Sequence, residues 1–121
     1  MGGERVGKAS GMGRKMSMNG KQSKPVARLF HSITHGNIWL AALSLMKQKK
    51  VYAYALPEGI EKEFGYSPSK LTTYFVLYKL EDEKLISSKF EGRRKYYELT
   101  SAGKKALLEG KKKLADLSKK L

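Results

Sequence analysis

The stretch YSPSKLTTYFVLYKLEDEKLI, residues 66–86, decides how this chain is read. Ser67 offers a side-chain oxygen to cap a helix, and Pro68 suits the first helical position, where a missing N–H costs nothing. No Gly or Pro interrupts residues 69–82. Leu71, Tyr74, Leu77, Tyr78 and Leu80 recur at three- and four-residue steps, so they are expected to form the buried side. Ser69, Thr72, Val76 and Lys79 lie opposite, flanked by Lys70 and Thr73. Hydroxyls, a small apolar group and amines suit base edges, thymine methyls and phosphates. On the helix alone an ordinary solvated face is the simpler reading; the residues that follow change it.

Those residues are LISSKF (85–90), EGRR (91–94) and KYYEL (95–99). Gly92 supplies the positive φ of a hairpin turn, and apolar and aromatic residues flank it with strand-like alternation. Lys89, Arg93, Arg94 and Lys95 are expected to cluster at the tip. Four basic residues around one turn, directly after a helix, favour contact with phosphates.

Upstream, VYAYALPEGIEKEFG (51–65) starts extended and becomes a helix near Ala55 or Leu56, because Pro57 is tolerated only in a first turn. Tyr54, Leu56, Ile60 and Phe64 are expected to face inward, and Gly65 closes the helix. Gly65 and Tyr66 then make a tight junction to the next helix, which is a helix-turn-helix pattern. IWLAALSLMKQKK (38–50) reads as the central core helix, capped by Asn37 and ending in Lys47, Lys49 and Lys50 at the negative end of its dipole. Its Trp39 is assigned to packing. PVARLFHSITH (25–35) reads as a short apolar lead-in that packs on the body or on a partner subunit. His31 and His35 stand at i, i+4, but no third or fourth ligand has suitable spacing, and no metal is assigned.

Thr100 caps a final helix over 101–121. Leu107, Gly110, Leu114, Leu117 and Leu121 step 3, 4, 3, 4 as a heptad seam does, and that seam is expected to form a dimer interface. Seven lysines against Glu109 and Asp116 make this helix basic, so a membrane-surface helix is the rival reading.

The whole chain has 121 residues, 25 Lys+Arg against 11 Asp+Glu, and a formal charge of +14, which favours a polyanionic partner. With 0 Cys, disulfides, thiolate catalysis and cysteine-ligated zinc are excluded. No apolar run reaches the ~20 residues of a membrane span, and there is no signal-peptide core. Residues 1–24, rich in Gly, Ser, Met and Lys, are expected to be a disordered basic tail. The fold class expected is mainly α with a small β-hairpin: a winged helix-turn-helix over 25–100 with a dimerisation helix over 101–121.

Residues 36–108 resemble the PadR-like winged helix-turn-helix transcriptional regulators, in the short subfamily with one C-terminal dimerisation helix. The likeness rests on GNIWLAALSL, on Tyr52 and Tyr54 before the second helix, on the Tyr74 to Leu77 spacing, on Leu80-Glu81 followed by Leu85-Ile86, and above all on EGRRKYYELTSAGKKAL. Ala53 and Lys84 stand where the family pattern has Gly. The resemblance implies a dimer whose third helix enters the major groove of double-stranded DNA while the wing touches the flanking backbone. Relatives include ligand sensors, but no residue here marks an effector pocket.

The function expected is therefore a cytoplasmic, nucleoid-associated DNA-binding regulator, acting as a homodimeric repressor without cofactor or membrane. An architectural protein that coats DNA with little sequence preference is the alternative. With 2 His, 0 Cys and no phosphate-binding Gly motif, an enzyme is not expected.

Overall fold

Helix α2 (Ile38–Leu45) is apolar on nearly every side, and the structure buries it accordingly. In the computed structural model, which describes residues 22–121, Ile38, Ala41, Ala42, Leu43 and the following Met46 form the centre of the core. Around them pack Leu56 and Ile60 of α3 (Leu56–Phe64), Leu77 and Leu80 of α4 (Lys70–Asp82), Ile86 and Tyr97 of the sheet, and Leu107 of α5 (Ser101–Lys120). Trp39 packs against this cluster, as expected.

α2 does not run on to Lys50. It stops at Leu45 because Val51 and Tyr52 must extend as strand β1 (Val51–Tyr52) to pair antiparallel with β3 (Arg94–Leu99), Val51 opposite Tyr97. Lys47, Lys49 and Lys50 thus occupy a turn and its exit rather than a last helical turn. Asn37 precedes α2 without a side-chain cap; its amide donates to the Ser32 carbonyl at 2.6 Å and its Oδ1 accepts from Trp39 Nε1 at 3.3 Å.

β3 also pairs antiparallel with β2 (Ile86–Glu91), giving the order β1-β3-β2. Glu91 faces Arg94 across a two-residue loop, Gly92-Arg93, and Gly92 takes φ +64°. Local sequence also fixes both ends of α3, which starts at Leu56 and ends on Gly65 at φ +79°. Thr100 caps α5, accepting from the Gly103 N–H at 3.0 Å.

The basic tail expected over 1–24 lies outside the described residues as far as residue 21. Its end is helical instead: Ser23 accepts from the Val26 N–H and opens α1 (Lys24–Ile33), with Pro25 in the first turn. Most of the lead-in expected over 25–35 is therefore a regular helix, and Val26, Leu29, Phe30 and Ile33 line one face of it without being buried.

One junction binds three elements. α4 ends with Lys84 at φ +64°, its N–H donating to the Glu81 carbonyl at 2.9 Å and the Leu85 N–H to the Leu80 carbonyl at 3.0 Å. This is the glycine-favouring helix stop with a lysine in it. The Leu85 carbonyl then accepts from the Thr100 N–H at 3.1 Å and from Thr100 Oγ1 at 2.9 Å. Gly103 sits directly on it: a Cβ there would lie 2.0 Å from Leu85 O and 2.7 Å from Leu99 Cδ1. Gly103 therefore permits a close approach to the start of the wing, not to another helix.

Candidate nucleic-acid interface

α4 begins two residues later than the sequence suggests. Ser69, not Ser67, is the cap; its Oγ accepts from the Thr72 N–H at 3.1 Å and donates to Thr72 Oγ1 at 2.8 Å. Pro68 is buried ahead of the helix, beside the buried Tyr66. Ser69 is thus committed to the backbone rather than displayed to bases.

The buried side also differs from the expected one. Thr73, Leu77 and Leu80 face the core with Val76 partly covered, whereas Leu71, Tyr74, Phe75 and Tyr78 are exposed. Thr73 is 0% exposed because its hydroxyl donates to the Ser69 carbonyl at 2.8 Å, which removes the cost of burying it. Thr73 and Val76 are therefore packing residues. The outward face consists of Lys70, Leu71, Thr72, Tyr74, Phe75, Tyr78 and Lys79, with Lys79 Nζ 5.4 Å from the Phe75 ring centroid. Leu71 at 81%, Phe75 at 58% and Tyr78 at 68% exposure dominate it.

The hairpin does not gather its four basic residues at the tip. Arg93 is exposed in the turn, and Lys89 is exposed with its amine 3.7 Å from Glu98. Arg94 folds back over the Tyr52 ring at 4.8 Å and donates to the Tyr54 hydroxyl at 3.3 Å. Lys95 lies 3.9 Å from Glu81 and 5.4 Å from the Tyr97 ring.

This folding back belongs to a cluster that the sequence signalled only through its tyrosines. Tyr52 stacks on Tyr54 with centroids 5.7 Å apart and meets Tyr96 edge-on at 6.0 Å. Tyr54 is therefore not a core residue, and Phe64 is also exposed rather than inward. Glu91 accepts from the Tyr52 hydroxyl and from Lys50 Nζ, while Lys50 sits 4.5 Å over Tyr96. The bonds from Tyr52 and then Lys50 hold the Glu91 carboxyl below the usual carboxylate range. The Tyr54 hydroxyl bond raises the Arg94 guanidinium still further, so its charge is permanent.

α5 splits the expected seam. Leu107 is buried in the chain's own core, and Gly110 lies under Trp39 and Leu40 of α2, where a Cβ would come within 2.9 Å of both. Neither is free for a partner. Leu114, Leu117 and Leu121 continue the same stripe and are exposed. The two histidines stack with centroids 4.8 Å apart, His35 packs against Tyr66, and no group of three potential metal ligands occurs among the described residues. No helix among those residues is long and apolar enough to cross a membrane.

Two helices joined by a tight turn, followed by an antiparallel hairpin and a long terminal helix, define a winged helix-turn-helix protein. The chain matches the Transcriptional regulator PadR-like family over residues 42–109, more than half its length, and it belongs to that family. It is similar in structure to a PadR family transcription regulator from hypervirulent Clostridium difficile R20291 (TM-score 0.64, 27% identity, covering 69% of this chain and 93% of that one). A PadR family regulator from Eggerthella lenta DSM 2243 gives a TM-score of 0.68 at 25% identity, over 78% of this chain and 87% of that one. Bacillus subtilis PadR in complex with operator DNA gives 0.53 at 28% identity, over 60% of this chain and 46% of that one. No curated protein sequence matches the chain. Members of this family are transcription regulators, not enzymes.

Proposed function

We propose that this PadR-like regulator is a homodimeric repressor that inserts α4 into the major groove of double-stranded DNA and grips flanking phosphates with the wing. The observation that carries this reading is the outward face of α4. It follows α3 across a tight turn, is not used for packing, and presents Lys70, Thr72 and Lys79. On the wing, Arg93 and Lys89 have the exposure needed for phosphate contact, whereas Arg94 and Lys95 serve mainly to hold the hairpin. The operator complex of the Bacillus subtilis relative supports operator DNA as the partner.

The division of the chain follows from this: 25–100 is the DNA-binding unit, and 101–121 adds the dimer contact. Leu114, Leu117 and Leu121 form its centre, and the uncovered face of α1 supports a second patch against the partner subunit. Two-fold symmetry then requires an inverted repeat with half-site centres about 10 bp, or a multiple of one turn, apart. Selection of bound sequences from a random pool at ~150 mM salt tests the proposal, because low salt inflates the sequence-independent contribution. An inverted repeat is the expected result. The formal charge of +14 favours the rival, an architectural protein, and a pool that yields no motif establishes that rival instead.

A further inference from the structure

A recognition helix in water would be expected to show mainly polar groups on the face it keeps out of the core. α4 shows the opposite. Leu71, Phe75 and Tyr78 stand at i, i+4 and i+7, exposed to 81%, 58% and 68%. They are not spare core residues, since Thr73, Leu77 and Leu80, with Val76, already supply the side that packs on the domain. Lys70 adjoins Leu71, and Lys79 lies over the Phe75 ring at 5.4 Å, so the apolar stripe is bracketed by cations. An apolar stripe between cations complements a polyanion that also offers apolar groups, rather than a plain protein groove. In a B-form major groove the apolar group displayed is the thymine C5-methyl, which no other base carries.

We infer that Leu71 and Phe75 read thymine methyls, which makes thymine content, rather than a hydrogen-bond pattern alone, a determinant of the sites this protein selects. The inference rests on the proposed insertion of α4 into the major groove. Four residues along a helix span about 6 Å, close to two base-pair steps of ~3.4 Å, so a helix lying along the groove sets its two methyl contacts about two steps apart. Leu71 lies in the first turn, which enters deepest, and Phe75 in the next. Tyr78 falls one turn further on, where its ring keeps water from the Phe75 contact. Thr72, between the two readers, supplies the hydroxyl that fixes the neighbouring base edge.

The test is replacement of thymine by deoxyuridine, which deletes the methyl and leaves every hydrogen-bonding edge intact. On the selected operator, each half-site is substituted one thymine at a time and binding is followed by fluorescence anisotropy at ~150 mM salt. Loss of a buried methyl is expected to weaken binding about fourfold at each of two positions per half-site and not at the others. Leu71→Ala should abolish the thymine-over-uracil preference at one of these positions and Phe75→Ala at the other. Both side chains are solvent-facing, so the fold is retained, and circular dichroism verifies it. Equal binding of thymine and deoxyuridine operators by the wild-type chain overturns the inference while leaving operator recognition standing. A random pool that yields no selected motif removes operator recognition, and the inference with it.

Discussion

Gly103→Ala should destabilise the protein, although alanine is the better helix former. In a helix interior the change by itself is worth roughly 1 kcal/mol in favour of alanine. Against this, the new Cβ would lie 2.0 Å from the Leu85 carbonyl oxygen, 3.1 Å from its carbon and 2.7 Å from Leu99 Cδ1. The first two are backbone atoms, and that oxygen already accepts from Thr100 N and Oγ1, so it cannot swing aside without loosening the α5 cap. Overpacking of this kind costs about 1–3 kcal/mol, and a strained hydrogen bond adds about 1 kcal/mol more. The net expectation is a loss of about 1–3 kcal/mol, or a fall in Tm of roughly 4–8 °C for each kcal/mol in a domain of this size. Gly110→Ala is the internal control. Its new Cβ meets Leu40 Cδ2 at 2.7 Å and Trp39 Cη2 at 2.9 Å, the far ends of side chains that can rotate. The helix gain then offsets most of the crowding, and the change should be close to neutral. Urea unfolding at one fixed protein concentration, followed by far-ultraviolet circular dichroism, compares the two. A Gly103→Ala protein as stable as the wild type, or more so, refutes the claim that α5 and the wing are in backbone contact.

Lys84→Gly should raise stability by about 1 kcal/mol, since φ +64° strains a lysine and suits a glycine, and the urea midpoint reports it. Leu114→Lys should place a charge in the seam and convert dimer to monomer in sedimentation at micromolar concentration; an unchanged dimer moves the interface elsewhere. Arg93→Ala should weaken every duplex alike and lower the salt slope by about one ion, whereas Arg94→Ala should act through the hairpin and lower thermal stability as well. Because Glu91 is held below the usual carboxylate range, its contribution to stability is present above that range and lost as the pH falls through the folded value. Glu91→Gln should therefore be less stable than the wild type at neutral pH, and the urea midpoints should converge in acid.

Boundaries set by a glycine were legible, as was the cap of α5, whereas the cap of α4 fell on Ser69 and not on Ser67. Gly65 and Gly92 take the positive φ that their positions imply, and Thr100 caps α5. The winged architecture followed from the same local signals, whereas the family rested on the resemblance of residues 36–108, above all EGRRKYYELTSAGKKAL. The orientation of α4 was not legible, because Leu71, Tyr74, Phe75, Val76, Leu77, Tyr78 and Leu80 leave almost no side of it without an apolar residue. Two stripes then fit a helical period equally well. The one that won contains Thr73, whose polarity hid it until its hydroxyl was seen to bond to Ser69. Competition between tertiary and local preferences explains α2, which gives up its last turn to a strand pairing 46 residues away, Val51 with Tyr97. A 3, 4, 3, 4 leucine step does not say whether its partner is in the same chain, and in α5 the answer changes between Gly110 and Leu114. For α1, the signal was present in Ser23 and Pro25, a cap followed by a first-turn proline.

The junction at Leu85 ties the start of the wing to the first turn of α5 through two hydrogen bonds and the close approach of Gly103. α5 has 20 residues and is about 30 Å long, so a turn of ~10° about one end carries the other through about 5 Å. In a pair of chains joined through α5, the two wings then act as the jaws of a calliper whose opening is set by the angle at which the terminal helices cross. On the proposed function, anything that wedges those helices apart would change the separation of the two phosphate contacts, and would do so at a distance from the DNA.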